Sequence, residues 1–226
     1  MPVNPGVVAG RFAPATKRCG FHSALAQEEQ MRVDYLDHLP DEFKTSAVRL
    51  LLYALKDKLV PILGNDGRAQ DVLEESLKPT HCIAAICDHK LVGILAIENS
   101  KGSFLNPTLK ILIKVYGILG GVYRMCGLTL LHHSTAPDEF YVDGVAVVDE
   151  MRGKGIGSQL FGKLERMALK NRIQTISLAV IDTNPKAEAL YERLGFVRIK
   201  RTMLRPFNWI FRFPFESETL MVKKMG

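Results

Sequence analysis

Three glycines, Gly153, Gly155 and Gly157, alternate behind Arg152 and Lys154 and run through Ile156 and Ser158 into an amphipathic stretch. Glycines that end a strand and open a helix make an anion site. The first N–H groups of a helix lack backbone partners, and residues without a Cβ let oxygens approach them. Arg152 and Lys154 add positive charge to a dipole contribution of roughly 0.3–1 kcal/mol. Several converging N–H groups suit a diphosphate. A P-loop would need GxxxxGK[ST], which does not occur. A dinucleotide turn, GxGxxG, fails at Ser158, and only 69 residues follow Gly157, too few for that plan unless permuted. A purely structural glycine turn stays open as an alternative.

Other side chains are placed for proton chemistry. Glu139 and Asp143 lie on one face of the strand that leads into the turn. His132 and His133 stand just upstream. Tyr191 shares a helical face with Ala187, Leu190 and Leu194. For each of these residues a structural or solvated role is the alternative, and for Tyr191 it is a place in the core.

The elements that must hold these groups follow from pattern. "MRVDYLDHL" reads as a first strand. "DEFKTSAVRLLLYALKDKLVPIL" reads as a helix, acidic at its start and lysine-bearing towards its end. Gly64–Gly67 is a turn, Arg68–Leu77 a second helix, and residues 80–99 two strands about a turn at Asp88-His89-Lys90. "NPTLKILIKVYGILGGVYRMCGLTLLHH" is apolar apart from one stripe of Lys110, Lys114, Gly117, Gly121 and Arg124. Asn106-Pro107 is its opening, and its charges argue against a membrane span. It reads as a buried helix, or a broken pair, with the stripe towards water; a wall of an acceptor pocket is the sharper alternative. The strand "EFYVDGVAVVDE" is apolar on both faces near its end, hence central. Ile156, Leu160, Phe161, Leu164, Met167 and Ala168 recur at helical spacing, and "QTISLAVI" is a buried strand. "NPKAEALYERLG" is a short helix with an Asn184 cap, Pro185 at its first position and Gly195 at its end. "FVRIKRTM" and "SETLMVKK" are strands. "FNWIFRFPF" alternates aromatics strictly, as an edge strand with one packed face would.

The chain has 226 residues, 47% hydrophobic and 24% charged, which suits one soluble domain with a large core. Of the net +6, Arg11, Lys17 and Arg18 supply half, within an acid-free segment 1–27. That segment has no long apolar core and reads as a flexible basic leader ahead of a single domain, 28–226; an organelle transit peptide is the alternative. The rest is too mildly basic to expect a nucleic-acid partner, and the arginine–aromatic interleaving of 196–215 alone does not supply one. Cys19, Cys82, Cys87 and Cys126 form no CxxC pair, so a bound metal or a disulfide framework is not expected. Reduced core thiols point to the cytoplasm.

Arg152-Gly153-Lys154-Gly155-Ile156-Gly157 resembles the [RQ]-x-x-G-x-[GA] turn of the GNAT superfamily of N-acetyltransferases. "NPKAEALYERLGF" is similar to that family's second signature, one helix and one strand downstream, and the order of elements matches from about residue 31 to 224. The resemblance implies an α/β fold whose mixed, mostly antiparallel central sheet splays between two middle strands, with helices on both faces and an apolar helical insertion at about 104–133. It implies acetyl-CoA as the acyl donor, its diphosphate on the turn from Arg152 to Ser158. Main-chain groups of Val145, Ala146 and Val147 would take the pantetheine arm, and Asn184 would touch it beside the splay. The implied reaction is direct attack of a primary amine on the thioester in a ternary complex. An alkyl ammonium must first lose a proton, and the thiolate must gain one. Tyr191 is the expected acid or sulfur-orienting group, and Glu139 and Asp143 are the expected bases. A CoA-binding module without catalysis is the alternative function. The acceptor, the acyl length and a homodimer stay open.

Overall fold

The computed structural model describes residues 32–205 and 207–226. The leader expected at 1–27, with Cys19, lies outside them. The chain runs β1 (Val33–Leu36), a 3-10 turn (Asp41–Phe43), α1 (Lys44–Ala54), α2 (Lys56–Leu63), α3 (Gly67–Ser76), β2 (Cys82–Cys87), β3 (Lys90–Asn99) and β4 (Gly102–Ser103). Then come α4 (Leu109–Leu131), β5 (Glu139–Val147), a 3-10 turn (Asp149–Met151), α5 (Ile156–Lys170), β6 (Thr175–Ile181), α6 (Pro185–Arg193), β7 (Val197–Met203), α7 (Phe207–Phe211) and β8 (Ser217–Lys224).

The strands form one sheet in the order β1-β2-β3-β5-β6-β8-β7, with β4 hydrogen-bonded to β3. Every pairing is antiparallel except that of β5 with β6. The β2–β3 turn holds Asp88 and His89 at φ +47° and +57°, values that match the twist of a two-residue hairpin. One sheet face packs on Phe161, Leu160, Leu164 and Tyr191 of α5 and α6. The other packs on Ala47 and Leu51 of α1. Cys82 and Cys87 fall in these two opposite clusters, and both are free.

Four expectations change. The first helix is not continuous. It breaks at Leu55, whose main chain leaves helical geometry (φ −104°, ψ 20°), and this drops the Leu55 side chain onto β5. A Cβ at Gly144 would lie 2.7 Å from Leu55 Cδ1, so the glycine leaves that side chain its room. The insertion begins not at Asn106-Pro107 but at Thr108, whose hydroxyl accepts the Ile111 amide.

The insertion is the broken pair rather than the single buried helix, and in its second segment the polar stripe is not the face that meets water. Gly117 sits at φ 73°, ψ 174° and splits α4 into two segments, and Gly121 packs against the Ile113 backbone. The break changes the rotational phase, so the exposed face of the second segment is Ile118, Leu119, Val122 and Tyr123 rather than the charged stripe. The 23 residues of α4 are long and apolar enough to cross a membrane by length and composition, with only 17% of that stretch buried. Neither segment alone reaches the ~20 residues that a span of hydrocarbon needs.

Finally, the alternating aromatics are not a strand. Residues 207–211 turn as α7, and Phe211, Phe213 and Phe215 bury as a tilted stack against Ile62 and Leu112. Trp209 stays exposed.

Candidate active site

The parallel ladder of β5 and β6 runs from Glu139–Thr175 to Val142–Leu178 and stops, although both strands continue. Each is held on its outer side. β5 follows β3 as far as Val147, and β6 follows β8 as far as Ile181. The sheet therefore opens into a slot. The Val148 amide donates to the Val92 oxygen at 3.0 Å, which places the alternate residues Val145 and Val147 with their main-chain groups on the open side and Ala146 towards β3. A cleft of about 140 Å³ between Val142, Val145, Leu178, Asn184, Leu190 and Tyr191 is the result.

Beyond the end of β5, Gly153 and Gly155 adopt φ +77° and +81°. Added Cβ atoms there, and at Gly157, would meet nothing within 4 Å, so the turn faces open space. Gly155 caps α5, and buried Ile156 anchors the helix beneath β3. Among the described residues, the amides of Gly153 to Ser158 find no main-chain acceptor. That leaves a run of donors for an anion. Arg152 bonds Asp149 at 2.8 Å and the Val147 oxygen at 3.2 Å, and the Lys154 ammonium rests against the Met151 sulfur at 3.6 Å.

Across the slot, the Asn184 side-chain oxygen accepts the Ala187 amide and fixes the start of α6. Two turns on, Tyr191 lies edge-on to Phe161 with ring centroids 5.6 Å apart. Burial pushes its phenol up to about 12, so it stays protonated across the neutral range.

The two expected bases part company. The pairing of β5 with β3 skips Asp143: Ile97 faces Val142 and Ala96 faces Gly144. This bulge turns Asp143 to the α2 side at the mouth of the slot. The Ser103 hydroxyl lies 2.5 Å from the Asp143 carboxyl and 3.1 Å from the Leu105 oxygen. Burial pushes the Asp143 carboxyl up to about 7; the Ser103 hydroxyl and the Lys58 ammonium oppose the rise, and a hydrogen-bonded Glu98 carboxyl adds to it.

Glu139, four residues earlier, lies outside both the slot and the adjoining cavity. It accepts the Ser177 hydroxyl and the Ala136 amide and pairs with His133 at 3.4 Å. His132 reaches towards Glu98 at 3.7 Å.

A second cavity, about 350 Å³, lies on the far side of Asp143 and shares Leu55, Lys58 and Asp143 with the slot. Its polar end is Glu98, Ser103, Tyr141 and Asp143. Sequence reasoning missed Glu98, Ser103 and Lys58. The one available signal was an acid, Glu98, ending the otherwise apolar run "LVGILAIE".

A family model described as "Acetyltransferase (GNAT) family" matches residues 52–196, more than half of the chain. The chain belongs to the GNAT family. A thialysine N-epsilon-acetyltransferase of Sus scrofa is 36% identical over 80 residues, which are 35% of this chain and 44% of that protein. The match to this curated relative thus spans less than half of its length. Among solved structures, one described as an acetyltransferase superposes with a TM-score of 0.55 at 22% identity, covering 85% of this chain and all of that one. An acetyltransferase of Bacillus subtilis in complex with CoA superposes with a TM-score of 0.52 at 16% identity, covering 87% and 99%. The GNAT fold is therefore shared across the domain.

Proposed function

We propose that this GNAT protein transfers an acetyl group from acetyl-CoA to a primary amine within a ternary complex. One observation carries the reading: the β5–β6 ladder ends at Val142–Leu178, and Asp143 stands where the resulting slot meets a second cavity. The residues present fit the donor. Unpartnered amides from Gly153 to Ser158, flanked by Arg152 and Lys154, suit a diphosphate, and the free edge at Val145 and Val147 suits the amide-bearing arm. Asn184 and Tyr191 close the opposite wall.

When bound, acetyl-CoA supplies an acyl group already activated as a thioester. Asp143 takes the proton that an attacking ammonium must shed, and its elevated pKa brings it closer to the amine's own. The new bond joins the amine nitrogen to the acyl carbon as the carbon–sulfur bond breaks. Tyr191 holds the proton that the departing sulfur needs. Main-chain N–H at Val147 is the donor placed for the carbonyl oxygen. The free thiols Cys82, Cys87 and Cys126 support a reducing compartment, for which we take the cytoplasm.

Calorimetric titration with CoA and release of free thiol on adding amines test the two halves. Absence of CoA affinity removes the whole reading. Tight CoA binding without thiol release from any acceptor leaves a binding module instead of an enzyme.

A further inference from the structure

We propose that the acceptor is a lipophilic primary monoamine: one ammonium on an apolar body, rather than a polyamine, an amino acid or a peptide N-terminus. This rests on the transferase reading and specifies its acceptor site. The cavity beyond Asp143 has about 350 Å³, a volume suited to a small molecule. Its wall is mostly aliphatic, with Leu51, Leu59, Leu73, Met125, Leu128 and Leu131 prominent. Three of these come from the second segment of α4, so the insertion supplies the greasy side.

The charged groups are gathered at one place. Lys58, Glu98 and Asp143 are the charged members of the wall, and His132 and Tyr141 are its further titratable residues. Glu98 on β3 and Asp143 on β5 lie at the same end of the cavity, so they present one acidic end, not two. A diamine or polyamine would leave its second ammonium among leucines, where burying an unpaired charge is costly. An amino acid would need a cation for its carboxylate. Lys58 faces Asp143 and is already bonded to Glu218 at 3.3 Å. A peptide would need main-chain partners along the cavity. Beyond the acidic end the polar side chains are Asn106, Thr129 and His132. A single ammonium held by Glu98, Asp143 and Ser103, with an alkyl or aryl body against α4, satisfies every group.

The acceptor panel that tests this is propylamine, butylamine, pentylamine, hexylamine and phenethylamine, set against L-lysine, spermidine and a short peptide. kcat/KM is read by thiol release with acetyl-CoA, and products by mass spectrometry. Each methylene buried against the leucine wall is expected to raise kcat/KM about fourfold until the cavity is full. Leu128→Asn should raise the KM for hexylamine at least tenfold, more than that for propylamine. A flat or falling alkylamine series, or higher kcat/KM for lysine, spermidine or the peptide, overturns this inference and leaves the transferase standing. Silence from every acceptor removes the transferase and the inference together.

Discussion

Asp143 offers a test in which stability and activity move in opposite directions. Its carboxyl is held at about 7 in the fold against an ordinary 3.8. Between about pH 4 and pH 7 the folded chain therefore keeps a proton that the unfolded chain releases, so stability falls as pH rises through that window and is level above it. At about 1.36 kcal/mol for each tenfold change in proton affinity, the difference from 3.8 to about 7 is about 4 kcal/mol. Water entering through the cavity reduces this, and roughly 2 kcal/mol at pH 8 is the expected share. The groups around Asp143 are Glu98 on β3, Ser103 on β4, Lys58 on α2 and Tyr141 on β5, and Asn can keep the Ser103 bond. Asp143→Asn should thus be the more stable protein at pH 8, with a melting temperature about 6 °C higher, and close to the parent near pH 3, below the ordinary carboxyl value of 3.8. Urea unfolding at the two pH values measures this. Loss of a general base should lower kcat about 10²- to 10⁴-fold in the same variant. A stability gap that does not change with pH, or a variant less stable at pH 8, refutes the burial argument. Unchanged turnover refutes the assignment of the base.

Three further outcomes are expected. Gly155→Ala, at φ +81° and with its methyl in the open space before the turn, should weaken CoA binding at least tenfold by calorimetry; an unchanged affinity places the diphosphate elsewhere. Tyr191→Phe should hold stability within about 0.5 kcal/mol and leave CoA affinity alone while lowering kcat about 10²-fold, and full turnover would take its phenol out of the proton traffic. Gly121→Ala would put a Cβ 2.7 Å from the Ile113 nitrogen, so a loss of about 1–3 kcal/mol is expected on thermal unfolding, and none would mean that the two α4 segments separate freely.

Much of this was legible because it depends on local chemistry. The glycine turn, the Asn184 cap, the Asp88-His89 hairpin and the order of the elements are written in short windows of chain. What stayed hidden depends on register or on contacts between distant segments. One extra residue at Asp143 separates it from Glu139, and no strand pattern announces a bulge. Glu98 joins Asp143 only because β3 and β5 pair in that register. The aromatic run from Phe207 to Phe215 has a strand's alternation, yet Arg212 turns to φ 55° and the rings bury in a three-way cluster. In α4, a single glycine resets the phase, so its faces cannot be read across residue 117.

The unfinished ladder between β5 and β6 has a consequence of its own. Past Val142 and Leu178, two strands lie side by side without joining, each braced from behind. Nothing need be pried apart for a linear guest to lie between them, and such a guest would supply the missing rungs. At a concentration one hundred times its dissociation constant it would add about 2.7 kcal/mol to the folded state. The cell's stock of thioester would then govern how long this chain survives as well as how fast it works.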